Sequence, residues 1–418
     1  MDANRARLEA ATEALRSLLE FNGPADGVLK RYFRDHATLG QHDRAFIAEL
    51  SFAVLRNLRL LQELGAQRSQ RRLALAALNL SFGRSIRELA PLLRKEEETW
   101  LAELRGREQS ALPPAVRLSL PDWLWERLSA QYGSDEAEAL GRALLQQAPL
   151  DLRVNTLLAS REEVLAQLAR DGIEASPATL SPVGVRLKSK PALQKHPLFL
   201  EGKVEVQDQG SQLLTFLLAP RRRQMVVDFC AGAGGKTLAL GAMMHSEGRL
   251  YAFDTADRRL ANLRTRLKRS GLSNVHPQQI DSESDPRIHR LDGKIDRVLV
   301  DAPCSGFGTL RRNPDLKWRQ SADGVEEMRR KQAAILNGAS RLVKVGGRLV
   351  YATCSLLREE NEQIAEAFLA EHPGFALVPA SEALQSQDIA LDTGPYFKVL
   401  PHTHGMDGFF AAAFERTA

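Results

Sequence analysis

The chain has 418 residues, is 44% hydrophobic and 26% charged, and carries a formal net charge of +5. That length is too great for one ordinary core and predicts two or three domains; the composition excludes a disordered chain, and no apolar run reaches the length of a membrane span. The small positive excess suits a polyanionic partner but does not by itself require one.

Residues 1–145 read as helices. Leu8, Ala11, Leu15 and Leu18 fall on one face, as do Ile47, Leu50, Val54, Leu58 and Leu61. The opening MDANRARLEAATEALRSLLE lacks a hydrophobic signal core, so a cytoplasmic protein is expected. Pro121 marks the start of a helix over DWLWERLSAQYG. There is no internal repeat and no low-complexity tract.

Over 146–215 the texture changes to a small α+β unit of ferredoxin-like or RRM-like kind. LRVNT reads as a strand, REEVLAQLARDG as a helix closed by Gly172, VGVRLKS as a strand of period two, and LFLEGKVEVQDQG as an extended or hairpin region. Over 216–418 apolar strands alternate with amphipathic helices: MVVDFC, RLYAFD, VHPQQI, RVLVDAP and GRLVYATC. That rhythm predicts a parallel, doubly wound, Rossmann-like sheet. The tail adds two strands around the His404–Gly408 turn, suited to an antiparallel edge hairpin.

CAGAGGKT, residues 230–237, invites a phosphate-binding reading, yet a Walker A loop needs glycine six residues before its lysine, and Cys230 stands there. Asp301 is available as a magnesium acid, so the P-loop is disfavoured rather than excluded. The alternative starts at Asp228 and uses Gly232 and Gly234 to bring backbone close to a bulky cofactor. Asp254 ends the next strand, 22 positions after Gly232, where a carboxylate suits ribose hydroxyls, and Asp281 follows the third strand, where an adenine amino group fits. S-adenosylmethionine has a nucleoside end and an amino-acid end but no phosphates, and it matches this set.

Three cysteines, Cys230, Cys304 and Cys354, make neither a disulfide framework nor a metal-site spacing. Cys304 and Cys354, 50 residues apart, both follow strand ends, where open α/β sheets place their ligands. Two thiols beside a methyl donor suit methylation of cytosine carbon 5, because a thiolate adding to carbon 6 makes carbon 5 nucleophilic. Asp301 suits assistance at ring N3, and a second thiol suits release of the product. Which thiol does which is open at this point.

DFCAGAGGKT, DRVLVDAPCSGFGTLRRNPDLKW, YATCS followed by EEN, VQDQGSQL and HGMDGFF together resemble the Nop/Sun family of RNA cytosine-5 methyltransferases, from about Leu152 to the end. RYFRDHATLGQHDRAFIAELSFAVLRN resembles the NusB-type helical domain of its bacterial RsmB-like branch. The resemblance implies a NusB-like RNA-binding domain, an RRM-like domain and a class I methyltransferase domain. It implies Cys354 as the nucleophile and Cys304 as the thiol needed for release, with Lys236 and Asp301 near the base. Around S-adenosylmethionine it places Asp228, the loop Cys230, Ala231, Gly232, Ala233, Gly234, Gly235 and Lys236, then Asp254, Arg259, Asp281 and Asp301. The family loop reads Cys-Ala-Ala-Pro-Gly-Gly-Lys, and here the proline is missing. The expected enzyme is metal-free and monomeric, and its partner is RNA with the target cytosine single-stranded or in a loop. Small-subunit ribosomal RNA is the expected substrate; transfer RNA, or a non-catalytic role in ribosome assembly, is the alternative.

Bland roles are expected for some neighbours. Cys230 reads as a packing residue. Asp208, Gln209 and Gln212 read equally well as a polar turn or as positioning groups. Arg311, Arg312, Lys317 and Arg319, following the Cys304 loop, read as RNA contacts, while the cluster Arg68, Arg71 and Arg72 only sharpens the lean towards a polyanionic partner.

Overall fold

The computed structural model describes residues 3–66, 69–107 and 109–418, so Arg68 lies outside the described residues. The chain forms two compact units, one of residues 1–147 with 309–322, the other of 148–308 with 323–418.

The first unit is all helical. Ala3–Leu18, Ala25–Asp35, Gln41–Leu61 and Gln70–Leu80 are its main helices. Their apolar faces meet in one core in which Leu8, Leu15, Ile47, Leu50 and Val54 are fully buried. Burial of each such side chain is worth about 1.5–3 kcal/mol. Asp122–Tyr132 begins directly after Pro121.

Thr309–Ala322 belongs to this unit although it immediately follows the Cys304 loop in sequence. Trp318 packs on the helical core and its indole N–H donates to the Leu55 carbonyl at 2.9 Å. Lys317 Nζ donates to the Arg56 carbonyl at 2.8 Å, and Arg56 donates to the Arg311 carbonyl at 2.9 Å. The Ala25 amide donates to Asp315 at 3.2 Å. Arg311 and Lys317 are therefore buried structural groups rather than a free basic surface. Arg319 pairs with Asp315, and Arg71 with Glu97.

The second unit holds two sheets. The smaller is fully antiparallel: β1 (Leu150–Val154), β2 (Ala175–Pro177), β3 (Gly184–Leu187) and β4 (Val204–Val206), in the order β2-β3-β1-β4. Helix Arg161–Arg170 packs on it, capped by Ser160, whose side chain accepts from the Glu163 amide. LFLEGKVEVQDQG, expected as an extended or hairpin region, instead begins inside a turn of helix, Pro197–Leu200, because Pro197 sits at a helix start and His196 caps it.

The larger sheet contains β5 (Met225–Asp228), β6 (Arg249–Asp254), β7 (Val275–Gln279), β8 (Ile295–Asp301), β9 (Val343–Thr353), β10 (Phe375–Val378), β11 (Phe397–Val399) and β12 (Phe409–Arg416). Its order is β10-β12-β9-β8-β5-β6-β7, with β11 on β12. Strands β5 to β9 run parallel, and the order reverses between β5 and β8. That switch point is where such sheets bind ligands. In the tail, β12 is not an edge strand: it pairs with β9 and with β10, as its unbroken apolar run FFAAAF requires of a strand covered on both faces.

Candidate active site

Strand β5 ends in Asp228 and the chain turns through the loop into helix Gly235–Met243. Two cross-bonds fix the turn: the Phe229 amide donates to the Leu299 carbonyl and the Ala231 amide to the Phe253 carbonyl, both at 2.8 Å. Gly234 has φ +86°, and a Cβ on it would lie 2.2 Å from Leu263. Only glycine meets both demands. The Gly232 amide donates to Asp254 at 2.9 Å, and Asp254 also accepts from the Ala256 amide at 2.8 Å. Arg259 stands 4.0 Å from the same carboxylate.

Behind the loop, Arg153 of β1 donates to the Gly235 carbonyl and to Gln207, while Arg266 donates to the Ala233 carbonyl at 2.7 Å. Buried Glu205 of β4 accepts from Arg266 and Arg269, each at 2.9 Å. The small sheet is thus pinned to the loop by buried charged pairs. Gln207 and Ser211 reach the cavity, whereas Gln209 accepts from the Leu180 and Ser181 amides and Gln212 from the Ser181 hydroxyl. Asp208 caps its own helix through the Gly210 amide at 2.8 Å.

A cavity of about 640 Å³ opens beside the loop, lined by Asp228, Cys230, Ala231, Gly232, Ala233, Gly235, Lys236, Asp254, Arg259 and Asp301. Gly234 supports the turn from behind through its packing on Leu263. Asp281 is not brought in. Its side chain is 87% exposed and pairs with Arg287 at 2.9 Å, while Ile280 and Glu283 line the wall instead. Thr255, Met328, Lys331 and Ile335 complete the lining; nothing in the sequence around Met328–Ile335 distinguishes these positions from any other helix.

Burial pushes the Asp228 carboxyl up to about 7, against the opposing hydrogen bond from the Thr237 hydroxyl at 2.6 Å. Its Oδ1 is buried without a hydrogen-bond partner, so the site has room for one donor. Burial also pushes the Cys230 thiol up, consistent with a packing role. Lys236 donates to Asp301 at 2.6 Å. Burial alone would lower its ammonium, but the Asp301 carboxylate outweighs it and the group is held above its ordinary value. Four acids line the cavity, Asp228, Asp254, Glu283 and Asp301, which is a poor seat for a triphosphate.

Strands β8 and β9 are neighbours, with the Ala302 amide donating to the Ala352 carbonyl at 2.8 Å. This brings the loops after them together: Cys304 Sγ and Cys354 Sγ are 3.5 Å apart, both as free thiols. The hydrogen bond to Cys354 and burial push the Cys304 thiol well above its ordinary value. The Gly308 amide donates to the Cys354 carbonyl at 2.8 Å and the Gly408 amide to the Gly308 carbonyl at 2.9 Å. A Cβ on Gly308 would lie 2.0 Å from the Gly408 carbonyl oxygen, which explains the glycines of both motifs. The following residue, Phe409, presents its ring to the Lys236 ammonium at 5.8 Å.

Among proteins of known family the match is extensive. Residues 215–415 fit the model of the 16S rRNA methyltransferase RsmB/F family, and residues 120–194 fit the ferredoxin-like domain of RsmF/B-like methyltransferases. A "Probable ribosomal RNA small subunit methyltransferase B" of Synechocystis sp. is 36% identical over 320 residues, 75% of this chain and 71% of that one. The ribosomal RNA small subunit methyltransferase B of Sodalis glossinidius is 32% identical over 404 residues, 90% of each chain. The crystal structure of PH0851 superposes over the whole of both chains with a TM-score of 0.81 and 28% identity. The chain therefore belongs to the RsmB/F family of ribosomal RNA methyltransferases, with a Rossmann-like methyltransferase sheet and a ferredoxin-like domain.

Proposed function

We propose that this protein methylates carbon 5 of a cytosine in 16S ribosomal RNA, through a covalent bond between Cys354 and carbon 6 of the base. The observation that carries this reading is the 3.5 Å approach of Cys304 and Cys354 at neighbouring strand ends, beside the Lys236–Asp301 pair. The family membership and the names of the relatives support the ribosomal substrate.

S-adenosylmethionine, the methyl donor of the family, supplies an electrophilic methyl group when bound. The cavity fits it. The unpartnered oxygen of Asp228 suits a donor on its amino-acid end, Asp254 suits its ribose, and Ile280 offers an apolar wall for adenine.

The chain's own groups account for the rest. The Cys354 thiolate forms the sulfur–carbon 6 bond, and the carbon 5–carbon 6 electron pair becomes available at carbon 5. Lys236, held charged by Asp301, donates towards ring N3 and stabilises the negative charge that addition places there. After methylation a water held by the Cys304 thiol takes the carbon 5 proton and passes it to solvent. The electrons of that C–H bond re-form the double bond and expel Cys354 as thiolate. We further propose that the helical unit is a NusB-like RNA-binding domain and that the enzyme works on ribosomal RNA in the cytoplasm.

A tritiated methyl donor with 16S ribosomal RNA tests the assignment. Cys354→Ala is expected to give neither methylated RNA nor a covalent complex, and Cys304→Ala to accumulate a protein–RNA adduct. The reverse pattern exchanges the two roles. Normal turnover by both variants ends the covalent route. Bisulfite sequencing of ribosomal RNA from a deletion strain identifies the base.

A further inference from the structure

The two thiols occur in the same local setting, Cys304-Ser305 and Cys354-Ser355. Both serines are buried, and both hydroxyls reach one oxygen of a single carboxylate, that of Glu360, itself fully buried. The two hydroxyls stand 3.2 Å apart. On the other oxygen of Glu360 the Ser305 amide donates at 2.8 Å and Gln332 Nε2 at 3.0 Å. Gln332 also donates to the Pro303 carbonyl at 2.9 Å, bracing the Cys304 loop a second time. The Tyr351 hydroxyl donates to the Glu360 carbonyl at 2.6 Å.

The side chain of Glu360 thus collects four neutral donors, and among the described residues no cation pairs with it. Two of the donors are N–H groups that cannot accept, so the set suits an ionised, acceptor-only carboxylate. A buried anion without a counter-ion is expensive, and a glutamine could have tied two loops together more cheaply. The charge itself therefore calls for a use.

We propose that Glu360 is a positioning residue that clamps the two cysteine loops at thiol contact and directs the proton shared by the pair to Cys304, leaving Cys354 as the thiolate. This rests on the reading of Cys354 as the attacking group. At 3.5 Å one proton can serve both sulfurs, as an S–H donor on one and an acceptor thiolate on the other. The fields on the two sides differ. Glu360 sits against the Ser305 amide, the peptide group next to Cys304, and opposes negative charge there. The Lys236 ammonium interacts with Cys354 and favours negative charge there, with Asp301 as its partner. Two further titratable neighbours, Tyr351 and Cys230, are held neutral by burial. The upward displacement of the Cys304 thiol, to which Glu360 contributes, agrees with this.

The test uses the full-length protein without RNA or methyl donor. Substoichiometric iodoacetamide is applied from about pH 6 to about pH 9, and label on each cysteine is quantified by peptide mass mapping. In the wild type Cys354 is expected to take most of the label. Glu360→Gln should lower the Cys354-to-Cys304 ratio about tenfold or more, equivalent to one unit of relative acidity. Glu360→Asp keeps the charge and should keep most of the preference. Ser305→Ala and Ser355→Ala loosen the clamp but not the charge, and should move the ratio less than about threefold. An unchanged ratio in Glu360→Gln, or equal shifts in all four variants, overturns the proposal.

Should Glu360→Gln not fold, the single-thiol variants decide. Cys354 in Cys304→Ser is expected to react about tenfold faster than Cys304 in Cys354→Ser, and equal or reversed rates overturn the proposal. Because alkylation needs no substrate, a bias towards Cys354 with no RNA adduct would reject the covalent mechanism and leave this assignment standing. An adduct formed without any bias would do the opposite.

Discussion

Lys236 and Lys317 are both largely withdrawn from solvent, one in each unit, and their surroundings push them in opposite directions. Lys236, beside the cavity, meets the Asp301 carboxylate at 2.6 Å and is held above its ordinary value. Lys317, in the helical unit, donates to the Arg56 carbonyl at 2.8 Å and lies 5.2 Å from the Trp318 ring, with no acid paired to it among the described residues, and burial, reinforced by the nearby Arg56 guanidinium, drives it well below 10.5. A buried cation becomes a chemical tool only when an acid accompanies it; without one it is a costly structural peg.

The contrast is broken most directly by substitution. Lys236→Met is expected to reduce methyl transfer by roughly three to four orders of magnitude with thermal stability near wild type, read from initial rates and a melting curve. Asp301→Asn should turn Lys236 into a second Lys317: its ammonium resonance, followed by NMR titration, should move below its ordinary value, and turnover should fall about a hundredfold or more.

Asp228 extends the contrast to a buried acid that, among the described residues, has no ion-pair partner. Its carboxyl titrates near 3.8 when unfolded and at about 7 when folded. Between these values the native state holds one more proton than the unfolded chain, so stability falls as pH rises through the window and stays low above it. Asp228→Asn should lack that fall and, near pH 8, exceed the wild type by up to about 4 kcal/mol in urea unfolding. Its methyl donor should bind more weakly.

For Lys317 the sign is the opposite. The unfolded chain keeps its proton up to 10.5 while the native state loses it earlier, so stability rises with pH across that interval. Lys317→Met should gain about 1–2 kcal/mol near neutrality, with the gain vanishing towards the upper end, and should leave turnover within about twofold. Smallest of all, Trp318→Phe removes the indole hydrogen bond to Leu55 and should cost about 1 kcal/mol.

Legibility in the sequence followed the range of the interactions. The five parallel strands and the acids ending three of them, Asp228, Asp254 and Asp301, are written in local periodicity, and so is the placing of both cysteines after strand ends. Asp281 shares the same local pattern, yet Asp285 caps the next turn of helix and draws Arg287 and Asp281 outward. Glu360 belongs to the EEN stretch after YATCS, but its role is not legible there, because its partners Ser305 and Gln332 are 55 and 28 residues away. Arg153 and Gln207 escaped for the same reason: nothing near them in the chain shows that they meet the loop at Gly235. The basic run after Cys304 looks RNA-facing from its neighbours in sequence, whereas its neighbours in space lie on a helix more than 250 residues earlier.

The backbone passes between its two units three times, at 147–148, 308–309 and 322–323. Deleting the first 147 residues is therefore not the removal of a bead from a string. It would strip Trp318, Lys317 and Asp315 of their packing on the very ribbon that follows Cys304, so a truncated protein that fails to methylate RNA reveals nothing about whether the missing helices touch the substrate. Swapping helical domains between relatives is sound only when residues 309–322 travel with them.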